Sequence, residues 1–346
     1  MRLLILYEEL APYFYNNVQY FADTFKIPVR IVTKHINPVA PFQFQKKSAF
    51  VEVWNRDLLS FDHLFQKIQT FSPTCLMQSG WIYKPYFEIT KRLSLSKTIL
   101  LLDNPWENKW RQHIGCLYFK WRYKHLYQKA FVPGNQQKEF AKHLGFDEKD
   151  IETGLYCCDT PVFEKLYQIR KTNRKRHYKF LYVGRYAPEK NIEILWRAFA
   201  KACAEYPNRW QLLCVGKGNI TPIVHPQIHH LGFLQPETLL PVILQSDVFI
   251  LPSNFEPWGV VLHEMTTAGL PVITSNKVGA NELFVQPQKN GYIFLANNEE
   301  ELKTYLIEMM RLSDDAYFMM VNVSFELSQK LNTSHWIQKI YHLCKV

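Results

Sequence analysis

Short apolar runs alternate with stretches of helical periodicity along nearly the whole chain, a rhythm that predicts parallel sheets covered by helices. In the first half the runs read as strands at 3–7, 29–33, 50–54, 74–78, 98–102 and 130–132. In the second half they fall at 179–183, 211–215, 247–251, 271–274 and 291–294. Residues 169–178 are polar and basic with no apolar period, and read as the linker between the halves. Trp336, Ile337, Ile340, Tyr341 and Leu343 keep helical spacing, so 334–346 predicts a closing helix.

The most informative stretch is Ser253-Asn254-Phe255-Glu256-Pro257-Trp258-Gly259-Val260-Val261-Leu262-His263-Glu264. An apolar run precedes it, helical pattern follows Pro257 up to Ala268, and Gly269-Leu270-Pro271 is a stop signal. Glu256 is therefore expected in a strand-to-helix turn and Glu264 roughly two turns inside the helix. The amides of Gly259, Val260 and Val261 lie between them, at the positive end of the helix dipole. That order suits a ligand with an anionic middle and hydroxyl-rich groups at both ends, such as a sugar nucleotide. Upstream, a strand ends at Gly184, and Arg185 and Lys190 follow it. A planar fork and a point charge at a strand's carboxyl end make a sensible pair for a diphosphate.

Taken together, these residues resemble the retaining glycosyltransferases of family 4. The shared pattern is G-R-x(4)-K followed by S-D-x-F-x-x-P-S-x-x-E-x-x-G-x-x-x-x-E-x-x-x-x-G-x-P-V. It is met at Gly184, Arg185, Lys190, Ser246, Asp247, Pro252, Ser253, Glu256, Gly259, Glu264, Gly269, Pro271 and Val272. The resemblance spans about residues 179–296 and includes the E-x7-E spacing of the two glutamates. It implies an α/β fold of GT-B architecture, two Rossmann-like doubly wound domains facing across a cleft. The first domain, 1–168, would bind the acceptor. The second, 178–329, would bind the donor, and the closing helix at about 330–346 is a candidate to pack back on the first. The implied activity is metal-independent and hexosyltransferase-like, moving a sugar from a nucleoside-diphosphate donor to a hydroxyl acceptor, glycan or lipid-linked. No cofactor is implied.

Residue by residue, the resemblance gives Arg185 and Lys190 the donor diphosphate and gives its oxygens to the amides near Gly259, Val260 and Val261. Glu264 would accept both ribose hydroxyls, and Glu256 would hold a donor-sugar hydroxyl. The first half departs from the pattern: Glu8-Glu9-Leu10-Ala11 stands where a Gly-Gly loop is common. Asp103 and His113 are the candidates there for acid–base help. A sugar-nucleotide epimerase, a glycan phosphorylase and a catalytically silent binding subunit are the competing readings.

Composition narrows the setting. At 346 residues and 47% apolar, the chain can form two domains with sizeable cores. No apolar run reaches the ~18 residues of a membrane span, and acids follow the opening apolar run too soon for a signal-peptide core. Seven cysteines without a C-x-x-C pair suit a cytoplasmic location. His263-Glu264 begins like a zinc-protease helix but lacks the second histidine, and Pro226 separates His225 from His229 and His230, so no metal site is expected. The net charge of +10 implies an acidic partner. Residues 109–129 hold six Lys/Arg and no acid, and Ile114, Leu117, Tyr118 and Trp121 follow one helical stripe. The favoured expectation is a cover helix packing that stripe on the sheet; peripheral contact with the inner face of a membrane is the alternative. Nucleic acid is not expected as a partner, since no nucleic-acid module is recognised.

Overall fold

The structure, a computed structural model, describes residues 1–34, 37–38, 41–80, 83–207 and 209–345. The chain divides into two compact units, Met1–Cys157 with Thr333–Val346, and Cys158–Asn332.

The first unit carries strands β1 (Leu3–Leu6), β2 (Val29–Thr33), β3 (Val51–Asn55), β4 (Cys75–Ser79), β5 (Thr98–Leu101), β6 (Lys129–Val132) and β7 (Ile151–Thr153). Its helices are α1 (Pro12–Phe25), α2 (Phe61–Phe71), α3 (Lys84–Leu93), α4 (Trp110–Arg122) and α5 (Asn135–His143). The second unit carries β8 (Lys179–Val183), β9 (Gln211–Val215), β10 (Ile228–Gly232), β11 (Val248–Leu251), β12 (Val272–Ser275) and β13 (Gly291–Phe294). Its helices are α6 (Thr160–Asn173), α7 (Ile192–Glu205), α8 (Pro236–Leu244), α9 (Val260–Thr267), α10 (Asn281–Phe284), α11 (Glu299–Arg311) and α12 (Asp314–Ser328). The last helix, α13 (Thr333–Lys345), returns to the first unit.

Both sheets are wholly parallel. Their orders are β3-β2-β1-β4-β5-β6-β7 and β10-β9-β8-β11-β12-β13. Helices on both faces explain why the central strands are unbroken apolar runs: every residue of Leu3–Leu6 and Val248–Leu251 is buried. In each sheet the strand order reverses beside the first strand, between β1 and β4 and between β8 and β11. Such a switch point opens a crevice at the carboxyl ends of the strands. The second unit's core gathers Phe180, Trp196, Phe199, Trp210 and Phe294 around its sheet.

Three expectations are corrected. Strands β7 and β10 escaped the apolar count because both are edge strands, one of three residues and the other carrying His229 and His230. Residues 169–178 are no free linker, because α6 belongs to the second unit and Arg170 is buried in it. Its guanidinium donates to the carbonyls of Ala268 (3.3 Å) and Ile243 (2.9 Å) and to Tyr317 Oη (3.1 Å). Just beyond, the buried Asp247 carboxylate accepts the amides of His177, Tyr178 and Lys179. Polar residues here serve as enclosed hydrogen-bond partners, which a count of apolar positions cannot register.

The third correction concerns α4. The cover helix exists, but it turns Cys116 and Phe119 to the core. The stripe expected to pack is turned outward: Ile114, Leu117, Tyr118 and Trp121 are 58%, 68%, 51% and 77% exposed. At about 100° per residue, Phe119 lies opposite the centre of that stripe, so only one of the two apolar faces can meet the sheet.

Candidate active site

The second unit's switch point is built by three loops. The chain leaves β8 at Gly184, whose amide donates to Val215 O at 3.0 Å. Arg185, Glu189 and Lys190 follow, and β11 delivers Pro252 to Gly259 alongside. The two loops are laced together, since Glu189 O accepts the amides of Asn254 (2.8 Å) and Phe255 (3.3 Å). Asn191 Nδ2 adds a bond to Asn254 Oδ1 at 3.0 Å.

This lacing brings Lys190 Nζ to 2.5 Å from Glu256 Oε2. Ser253 Oγ donates to the same oxygen at 3.4 Å. The Glu256 backbone is held by the loop after β12: its N–H donates to Lys277 O (3.2 Å), and its carbonyl accepts from Gly279 N–H (3.0 Å). Gly279 allows the close approach, because a Cβ there would stand 2.2 Å from Pro257 O. Arg185, by contrast, reaches toward solvent and pairs with Glu189 at 2.8 Å.

Gly259 takes φ 97°, a left-handed conformation that turns the chain from the loop into α9. The first turn of α9, with Val260 and Val261, presents amides that have no partner outside the helix among the described residues, as first-turn amides do. Glu264 is the fifth residue of α9, one turn in rather than two, because the helix starts at Val260 and not directly after Pro257. The residue as a whole is half-buried, and burial and the nearby Asp159 carboxylate push its carboxyl up to about 7. Among the described residues no donor meets this carboxyl, which suits it to accept hydroxyls from a ligand.

The neighbouring His263 faces the other way. Its Nδ1 accepts the Cys158 amide at 3.2 Å, its Nε2 donates to Ser328 O at 3.1 Å, and its ring stacks on Phe284. Burial holds it down to about 4, hence neutral. It fixes the back of α9, and the zinc-helix resemblance has no counterpart here. Among the described residues no cluster of three metal-ligating side chains occurs. His230 instead bonds Tyr186 Oη and Ile223 O.

In the first unit a pocket of about 940 Å³ opens at the carboxyl ends of β1 and β4. Glu8, at the place of the missing Gly-Gly loop, grips the buried Arg56 with two bonds of 2.9 and 2.8 Å, and Arg56 lies over the Tyr83 ring at 3.7 Å. Asp103 lines the pocket and accepts Tyr156 Oη at 2.9 Å. His113 does not line it; it sits on α4 with its ring against Trp106. The Glu8–Arg56 pair escaped the sequence reading, as its members stand 48 residues apart and no local pattern joins them. The available signal was Glu8 itself, a charge at a central strand's carboxyl end.

Two parallel-sheet Rossmann-like units with this crevice define the fold of the GT-B glycosyltransferases, and solved structures agree. Anabaena HepE, determined in complex with UDP and glucose, superposes with a TM-score of 0.72 over 99% of this chain and 98% of that one, at 14% identity. More particularly, residues 165–320 match the family model for glycosyl transferases group 1. An uncharacterized glycosyltransferase of Methanocaldococcus jannaschii is 30% identical over 131 residues, 35% of this chain and 33% of its own. A phosphatidyl-myo-inositol mannosyltransferase of Propionibacterium freudenreichii is 28% identical over 153 residues, 42% of this chain and 38% of its own. The matches thus span about a third of the length of these curated relatives.

Proposed function

We propose that the protein is a retaining glycosyltransferase that moves a sugar from a nucleoside-diphosphate donor to a hydroxyl acceptor in glycan, polysaccharide or glycolipid synthesis. The observation that carries this reading is the Lys190–Glu256 pair set before the N-terminus of α9 at the sheet's switch point. The donor diphosphate would lie between Lys190, Arg185 and the amides of Gly259, Val260 and Val261. Glu264 would accept the ribose hydroxyls, and Glu256 would take a hydroxyl of the donor sugar.

As the glycosidic bond breaks, negative charge grows on the diphosphate while the sugar gains oxocarbenium character. Fixed cations and amides stabilise that charge without reorganising, so the leaving group needs neither a metal ion nor a cofactor. The acceptor would occupy the first unit's pocket beside Asp103, with its hydroxyl attacking from the face the diphosphate leaves. The relative's name, a mannosyltransferase acting on a phosphatidylinositol, supports an acceptor of lipid or glycan type. The free cysteines suit work in a reducing cytoplasm.

A panel of nucleotide sugars with cell-derived acceptors, scored for release of nucleoside diphosphate, tests the reading. Release that requires an acceptor supports it, whereas conversion of the donor alone points to an epimerase. Donor binding without turnover points to a silent binding subunit, for which the occupied Glu8–Arg56 loop is the supporting feature. If neither binding nor turnover is found with any donor, the reading is wrong.

A further inference from the structure

Helix α4 has two apolar faces, and the core uses only one. Trp110, Ile114, Leu117, Tyr118 and Trp121 fall within roughly 100° of arc on the other face, and each is more than half exposed. Lys109 and Lys120 flank this arc on one side, Arg111 and Arg122 on the other, all exposed. Lys109 is paired with Glu107, and no acid lies on the helix itself.

Beside the helix's last turn lies a pocket of about 560 Å³ whose charged lining is Lys84, Glu88, Lys91, Arg92 and Arg122, with His125 beside them. Its single carboxylate, Glu88, is already engaged by Arg92 at 2.7 Å. A phosphate entering there would meet spare cationic charge.

We propose that α4 docks the protein on an anionic lipid bilayer. The helix lies in the headgroup plane with its aromatic and aliphatic arc immersed, its flanking cations reach lipid phosphates, and the basic pocket takes one headgroup. Indole and phenol rings suit that boundary, with an apolar body and a polar tip. Basic residues on both sides of the arc allow their charged heads to stay at the surface. A second copy of the chain is a poorer occupant, because a two-fold contact through this face would set cationic flanks against cationic flanks. Nucleic acid would leave Ile114 and Leu117 without a use.

The chain reaches Trp110 from the carboxyl end of β5 through Asp103, which lines the first unit's larger pocket. Docking would hold that pocket close to a membrane-borne acceptor. This purpose rests on the proposed transferase reading; the docking itself is measured separately from nucleotide binding.

The experiment is co-sedimentation of the full chain with vesicles of phosphatidylcholine, alone or mixed with phosphatidylglycerol, alongside titration with UDP and GDP. The protein is expected to bind mixed vesicles at least about tenfold more tightly than neutral ones, and less as salt rises. Trp121→Ser with Leu117→Ser should abolish binding, and Lys120→Gln with Arg122→Gln should weaken it about fivefold per charge. Nucleotide affinity should stay unchanged in both variants, which alter exposed side chains only. Equal binding to both vesicle types, variants that bind like the parent, a dimer dissolved by the apolar variant, or capture by duplex DNA without vesicle binding would each overturn the proposal. Vesicle binding by a chain that binds no nucleotide would uphold docking and sink the transferase reading.

Discussion

Lys190 and Glu256, 66 residues apart, meet at 2.5 Å with side chains only 17% and 12% exposed. An enclosed pair of this kind is weak evidence of net stabilisation, but removing one partner leaves the other charged and poorly solvated. Lys190→Met is therefore expected to lower unfolding stability by about 3 kcal/mol. The double variant with Glu256→Gln should recover part of that loss, with a coupling of about 2 kcal/mol in denaturant titration. Additive effects would show the contact to be incidental.

Arg185 makes the opposite prediction. Its pair with Glu189 is solvent-exposed, and such pairs contribute about 0–1 kcal/mol. Arg185→Ala should leave thermal unfolding essentially unchanged while weakening nucleoside diphosphate binding by about 10- to 100-fold. Normal binding by the variant would remove Arg185 from the donor site.

The adjacent Glu264 and His263 titrate against each other. Glu264 is raised from 4.5 to about 7, so its contribution to stability is complete below 4.5 and is lost as pH rises through 7. His263 is lowered from 6.5 to about 4, so its contribution is complete above 6.5 and is lost as pH falls through 4. Between about 4.5 and 6.5 the two slopes oppose and largely cancel. Glu264→Gln should uncover the histidine, giving a protein that loses up to about 3 kcal/mol more than the parent on acidification across that range. Urea titrations at several pH values measure this, and parallel curves for parent and variant would contradict it.

The same carboxyl sets a binding profile. A ribose diol donates to the ionised form, so nucleotide affinity should rise as pH passes about 7, and Glu264→Gln should bind more weakly and lose that rise. Calorimetric titrations of both proteins with UDP across this range would reveal it.

Gly259→Ala combines two penalties. The residue has φ 97°, and its Cβ would stand 3.0 Å from Glu256 Cγ and 3.3 Å from Val278 Cγ1. A loss of about 1–3 kcal/mol in stability is expected, together with reduced donor affinity, because the displaced atom belongs to Glu256. A variant with parental stability and affinity would show the turn to be tolerant.

The second unit was legible because its site lies in two contiguous loops whose turn glycines and charges keep fixed spacing after strong apolar strands. What joins those loops was not legible: the bonds of Glu189 O to residues 254 and 255 are backbone contacts that no side-chain pattern encodes. The motif's Asp247 proved to hold the amides leading into β8, a structural task within a pattern read for function. In the first unit, Glu8 and Arg56 find each other only through strand pairing. On α4, periodicity identified an apolar stripe but could not say whether the core or the outside receives it.

Helix α13 ties the end of the chain to its beginning. Thr333 donates to Asn17, Trp336 to Leu155 O, and Lys339 to Glu152 and Thr153 O. During synthesis the first unit would therefore lack its last helix until the whole second unit has been made, although all seven of its strands precede that unit. The early intermediate would expose the apolar seat of Trp336 to chaperones, and a fragment cut near residue 157 would keep that wound open.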